Sequence, residues 1–134
     1  MTVTAGEGNL ALNQPVFASS VEKAGLEAYN AVDGLSSSRW SSAFSDPQWI
    51  YVDLGTSYTI THVVLRWETA YGSHYMIQVS SDATNWTTVY TESSGNGNTD
   101  DITFRATSAR YVRMYGTTRA TSWGYSLYEF EVYQ

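Results

Sequence analysis

The sequence contains no cysteine, which excludes a disulfide scaffold, a zinc–thiolate site and a cysteine nucleophile together. No apolar run approaches the roughly 18 residues of a membrane span. No basic segment leads into an apolar one at the amino end, so no signal peptide is expected. Basic residues are scarce, seven against thirteen acidic ones, for a formal charge of −6. That balance disfavours nucleic acid, whose phosphates demand a basic face, and an anionic membrane surface as well. It suits a cationic ligand, or it serves only solubility. Motifs of chemistry are missing too. GxSxG, HExxH and P-loop patterns do not occur. Nothing marks a pair of carboxylates facing each other at the roughly 5–10 Å that a glycosidase needs.

What the chain does have is aromatic residues and a strand rhythm. Its 134 residues fit a single domain with one core. Aromatics make up 15% of it and eleven are Tyr; Tyr suits recognition surfaces, and it equally fills strands. Most of the eleven are assigned to strands. Ile50, Val52 and Leu54 alternate with Trp49, Tyr51 and Asp53; Tyr75, Ile77 and Val79 alternate with Met76, Gln78 and Ser80. Val112 and Met114 alternate in the same way with Tyr111, Arg113 and Tyr115. Further strands are expected over 61–67, 86–90, 102–105 and 127–133. Turn clusters punctuate them at 36–38, 82–85 and 93–99, the last a hairpin loop reading SSGNGNT. Only 25–31 has a helical look, and it is short. Seven or eight short strands between turns predict a β-sandwich.

Two segments stand out, AVDGLSSSRW over 31–40 and WIYVDLG over 49–55. Asp33-Gly34 followed by hydroxyl residues reads as an ion-binding loop, or as an ordinary Asp-Gly turn. Trp40, Trp49, Trp67 and Trp86 all read as core or subsurface residues, with Trp40 and Trp49 as the markers. Trp123 differs, lying in the polar loop TTRATSWGYSL with no apolar neighbour in sequence. Loops carried on a rigid sandwich are where binding residues gather, and an exposed Trp can stack on the CH face of a sugar ring.

These segments, with YMIQVSSDATNWTTVY, RYVRMYGT and GYSLYEFEVY, resemble the discoidin, or F5/8 type C, superfamily from Asn9 to Gln134. Within it the chain is similar to the family 32 carbohydrate-binding modules of bacterial glycoside hydrolases; animal members usually carry a disulfide. The resemblance implies an all-β, jelly-roll-like antiparallel sandwich of about eight strands and a non-catalytic domain cut from a longer secreted bacterial protein. Residues 1–8 would be a linker remnant.

It also implies a structural calcium held by the Asp33 carboxylate, Ser38 (carbonyl and hydroxyl), the Glu129 carboxylate, and the carbonyls of Asn30, Leu35 and Tyr128. For sugar it implies Trp123 as platform and Glu22 as a carboxylate contact. Phe44 is either a flanking contact or a residue tucked under the sandwich. Glu68, Tyr71 and Arg119 complete the candidates. Galactose-binding relatives carry a His in the Phe44 loop and an Arg in the Glu68 loop, and this chain has neither, which argues against galactose. Glu22, Glu27, Asp46 and Glu68 against Lys23 and Arg119 favour a cationic amino sugar, hence chitosan. A neutral β-glucan is the rival, since carboxylates also accept from hydroxyls. An adhesion-type domain that binds protein or glycoprotein is a further alternative. The domain is expected to be monomeric, with no nucleic-acid or membrane partner.

Overall fold

A computed structural model describes residues 8–134; the expected linker falls outside the described residues, save Gly8. Seven strands follow one another: β1 (Val16–Ala18), β2 (Trp40–Ser41), β3 (Gln48–Trp67), β4 (Gly72–Ser80), β5 (Thr87–Glu92), β6 (Thr99–Arg119) and β7 (Ser126–Tyr133). All the pairings are antiparallel. The helical-looking stretch supplies one 3-10 turn, Ala28–Ala31.

The two long strands make the sandwich. The first half of β3 pairs with β1 on one side and with the second half of β6 on the other, where Trp49 faces Tyr115 and Val52 faces Val112. Beyond that half of β6 come β4 and then β5. The second half of β3 pairs instead with the first half of β6 and with β7, whose other edge takes β2. Each long strand therefore passes from one layer to the other through a break in register between Asp53 and Tyr58. Gly55 makes that corner at φ +88°, a left-handed conformation that only glycine adopts at little cost. Asp53 braces it: its carboxylate accepts the Gly55 amide at 2.8 Å and two Arg110 hydrogen bonds at 2.9 and 3.1 Å.

The sequence predicts separate strands over 49–54 and 61–67 and over 102–105 and 111–115, whereas β3 and β6 each run on without a break. The alternation itself is kept. Ile50, Val52, Leu54, Tyr75, Ile77, Val79, Val112 and Met114 all point inward, into one core with Val63, Leu65, Phe130 and Val132 of the other layer. That parity sends Trp49 and Tyr51 outward, so Trp49 is no core marker. With Phe17, Trp86 and Tyr111 they form an aromatic layer on the outer face, and the Arg113 guanidinium lies 4.1 Å from the Trp86 ring centre. Trp40 and Trp67 are buried as expected. The two ends of the domain meet: Leu10 donates its amide to the Val132 carbonyl at 2.8 Å, and the Asn9 side chain accepts the Val132 amide.

Candidate functional site

The loop before β3 and the loop before β7 are joined into one edge of the sandwich. The Ser42 amide donates to the Tyr125 carbonyl, and the Ser42 hydroxyl accepts the Tyr125 amide, both at 2.9 Å. Gly124 permits this approach, since a Cβ there would stand 2.4 Å from Ser42 Oγ and 2.5 Å from the Ala43 carbonyl. Tyr125 is fully buried over Gly116, and its phenol donates to Asp46 Oδ1 at 2.5 Å. Burial, and then that carboxylate, hold the Tyr125 phenol well above its usual range. The other Asp46 oxygen accepts from Arg119 Nε at 3.0 Å. Two loops about 80 residues apart in sequence are thereby locked together.

On this edge sits a cleft of about 290 Å³, lined among others by Glu22, Arg39, Phe44, Glu68 and Trp123. Phe44 is 50% exposed and Trp123 is 51% exposed; Phe44 is therefore a surface residue and is not tucked beneath the sandwich. Glu22 is anchored by its own amide, which donates to the Ser41 carbonyl at 2.8 Å, and its side chain is exposed. Glu68 is half-buried, with one oxygen accepting the Ala70 amide at 3.0 Å. Two carboxylates beside two open aromatic faces can hold a cation and a ring at once.

Arg39 was not anticipated. Its Nε donates to Ser41 Oγ at 3.2 Å, leaving the rest of its fork of donors to the cleft. The available signal was parity: Trp40 points into the core at 0% exposure, so its neighbours Arg39 and Ser41 turn the other way.

Two of the expected sugar contacts lie elsewhere. Arg119 does not line the cleft; it spends its guanidinium on Asp46 and so positions the Phe44 loop. Tyr71 lies in an adjoining hollow, against Gly97. Of the four carboxylates weighed from sequence, only Glu22 and Glu68 reach the cleft. Asp46 is engaged as described, and Glu27 accepts the Gly25 amide at 3.0 Å, which lowers its pKa. His74 is exposed beside Ser73.

The expected ion loop approaches β7 closely. Gly34, at φ +76°, donates its amide to Glu129 Oε1 at 2.9 Å; Asp33 accepts from the Leu35 amide at 3.0 Å and from Ser38 Oγ at 2.5 Å. Glu129 is 6% exposed, and burial, then contact with Asp33, pushes its pKa up to about 8. No basic side chain forms an ion pair with either carboxylate among the described residues. Tyr128 is an extra residue in β7, since Leu127 faces Trp67 while Glu129 faces Arg66. The bulge takes the Tyr128 carbonyl out of the regular ladder. Asn30 donates its side-chain amide nitrogen to the carbonyls of Gly25 and Arg39 at 2.8 and 3.1 Å, which fixes its place at the start of the loop. Among the described residues no three His, Asp or Glu side chains cluster. A set of two carboxylates, a hydroxyl and carbonyls fits a hard cation such as calcium and does not suit a transition metal.

Known proteins share this architecture. The family model described as a NedA-like, galactose-binding domain of F5/8 type C matches residues 30–114. Chitosan-binding module 1, derived from a chitosanase/glucanase of Paenibacillus sp. IK-5, is 60% identical with a TM-score of 0.92, over 94% of this chain and 98% of that one. Chitosan-binding module 2 of the same enzyme, solved in complex with chitotriose, is 56% identical with a TM-score of 0.93, over 94% of this chain and all of that one. A polysaccharide lyase 8 family protein, HylA of Enterococcus faecalis, is 30% identical over 112 residues; the match takes in 78% of this chain, which spans only 8% of that protein's length. By the family match, and by a fold shared end to end with these modules, the chain belongs to the F5/8 type C family of galactose-binding-like domains.

Proposed function

We propose that this chain is a non-catalytic carbohydrate-binding module that takes an amino-sugar unit of chitosan and so delivers a linked glycoside hydrolase to the polymer. The observation that carries the reading is the placing of Glu22 and Glu68 on one cleft with the exposed rings of Phe44 and Trp123. A pyranose lays its CH face on Trp123. Its ammonium group is held by the two carboxylates, and the Arg39 fork donates to hydroxyl oxygens. The likeness to two chitosan-binding modules supports the same ligand. A polymer of this kind is met outside the cell, so the reading includes a secreted parent protein.

A structural calcium belongs to the reading. Asp33, Ser38 and Glu129, with the carbonyls of Asn30, Leu35 and Tyr128, would hold it. It would neutralise two adjacent carboxylates and tie the loop after the 3-10 turn to the last strand, without touching sugar.

Calorimetric titration with a glucosamine trimer and with a neutral glucan trimer of the same linkage tests the ligand. The glucosamine trimer should bind, more weakly as salt rises, and the glucan should bind far less. Equal affinity for both would overturn the amino-sugar reading.

A further inference from the structure

Beside the first cleft lies a second, of about 330 Å³, which shares Glu68 and Thr69 with it and is otherwise walled by Trp67, Tyr71, Asn96, Asn98 and Tyr128. Its walls are held in place. The Trp67 amide donates to the Asn98 carbonyl at 2.8 Å, and its indole donates to Asp100 at 3.0 Å. The SSGNGNT loop is fastened by the Gly95 amide, which donates to the Ser73 carbonyl at 2.8 Å. Gly97 then lies flat on the Tyr71 ring, where a Cβ would approach to 3.0 Å. The bulge in β7 makes Tyr128 the unpaired residue at this wall.

The polar groups of these walls are unspent. Thr69, Asn96 and Asn98 are exposed and Tyr71 and Tyr128 half-buried, and among the described residues no hydrogen bond engages their side-chain amides, phenols or hydroxyl. Apart from Glu68 at the shared edge, no charged residue lines the hollow. Amides, phenols and aromatic edges without charge are the groups that read hydroxyl and acetamido substituents.

We infer that this second cleft is a neighbouring subsite for an uncharged pyranose unit of the same chain whose amino sugar enters the first; an N-acetylglucosamine unit of partly acetylated chitosan meets that description. The inference rests on the function proposed above. It makes the module a reader of a mixed sequence, a cationic unit beside a neutral one. Its contribution to affinity is insensitive to salt, because it contains no ion pair.

The test uses the double variant Asn96→Ala/Tyr71→Phe, which keeps the ring packed on Gly97, together with Trp123→Ala and the unaltered protein. Glucosamine and mixed glucosamine–N-acetylglucosamine dimers in both orders are titrated, and the side-chain amide signals of Asn96 and Asn98 are followed by NMR. One of the two mixed dimers should bind more tightly than glucosamine, and at saturation it should shift both amide signals. The double variant should lose about tenfold affinity for that dimer, as expected for two or three missing hydrogen bonds, while its glucosamine affinity is unchanged. If Trp123→Ala abolishes binding but the Asn96 and Asn98 signals stay still at saturation, the second subsite falls and the first cleft stands. If Trp123→Ala leaves binding intact, the first-cleft reading fails, and this inference fails with it.

Discussion

Replacing Glu22 and Glu68 by glutamine, singly and together, separates charge from shape at the first cleft. Glu22 is exposed, so its pair with an ammonium remains solvated; such a pair is worth about 0.2–1 kcal/mol. Glu22→Gln should therefore raise the Kd for a glucosamine trimer by up to about fivefold. Glu68 is half-buried and already has one oxygen engaged by the Ala70 amide. Its remaining oxygen is less screened, and the lower end of the range for charge-assisted hydrogen bonds, about 1.5 kcal/mol, predicts roughly a tenfold loss for Glu68→Gln. Glutamine still accepts from Ala70, so the loop should hold. The double variant should approach the product of the two losses, about fifty-fold, provided the sites act independently. Calorimetric titrations at about 10 mM and about 1 M salt span a screening length from about 30 Å to about 3 Å. Most of the difference between wild type and double variant should vanish at the higher salt. An identical loss for a neutral glucan trimer, or a double variant with an unchanged salt response, would refute the argument.

Trp123→Ala should remove detectable sugar binding while shifting Tm by less than about 2 °C, because the ring is 51% exposed and supports no core; titration and a thermal melt on one sample check both halves. Calcium at about a hundred times its Kd should stabilise the fold by about 2.7 kcal/mol, with EDTA reversing the gain and Asp33→Asn abolishing it; a wild-type Tm indifferent to calcium and EDTA would remove the ion assignment. Asp53 has its pKa lowered, first by the Arg110 hydrogen bond. Its contribution to stability is complete above the unfolded value of 3.8 and is lost as pH falls from there through the lower folded value. Arg110→Met should therefore flatten the acid limb of a denaturation-midpoint profile below about pH 4.

Much of the fold was legible because it depends on local pattern. Period-two alternation put the correct faces of β3, β4 and β6 in the core, since a strand has only two faces and water sorts them. The same local view missed that β3 and β6 turn a corner without ending. Gly55 bends a strand here, and the corner is braced by Arg110, which lies 57 residues beyond Asp53 in the chain and takes hold of its carboxylate. Trp49 was misjudged for a related reason: its size favoured burial, but the parity set by Ile50 and Val52 placed it outside.

The site divides along the same line. The chain by itself determined the kind of chemistry, because scarce cations, absent cysteine and polar loops carrying Trp123, Phe44, Glu22 and Glu68 are properties of composition and order. It also marked Asp33-Gly34 and Glu129 as partners, through a resemblance that spans the whole domain. Only the tertiary structure decided which of these groups meet. Arg119 stands four residues before Trp123, yet its long side chain reaches Asp46, across the joined loops, and serves position in place of ligand. Tyr71 follows Glu68 by three residues, yet its ring turns onto Gly97 and faces a different hollow. Arg39 enters the cleft because Trp40 must be buried. A side chain's direction is set by what its backbone neighbours bury and by partners distant in sequence, and neither is written in the residue's own stretch of chain.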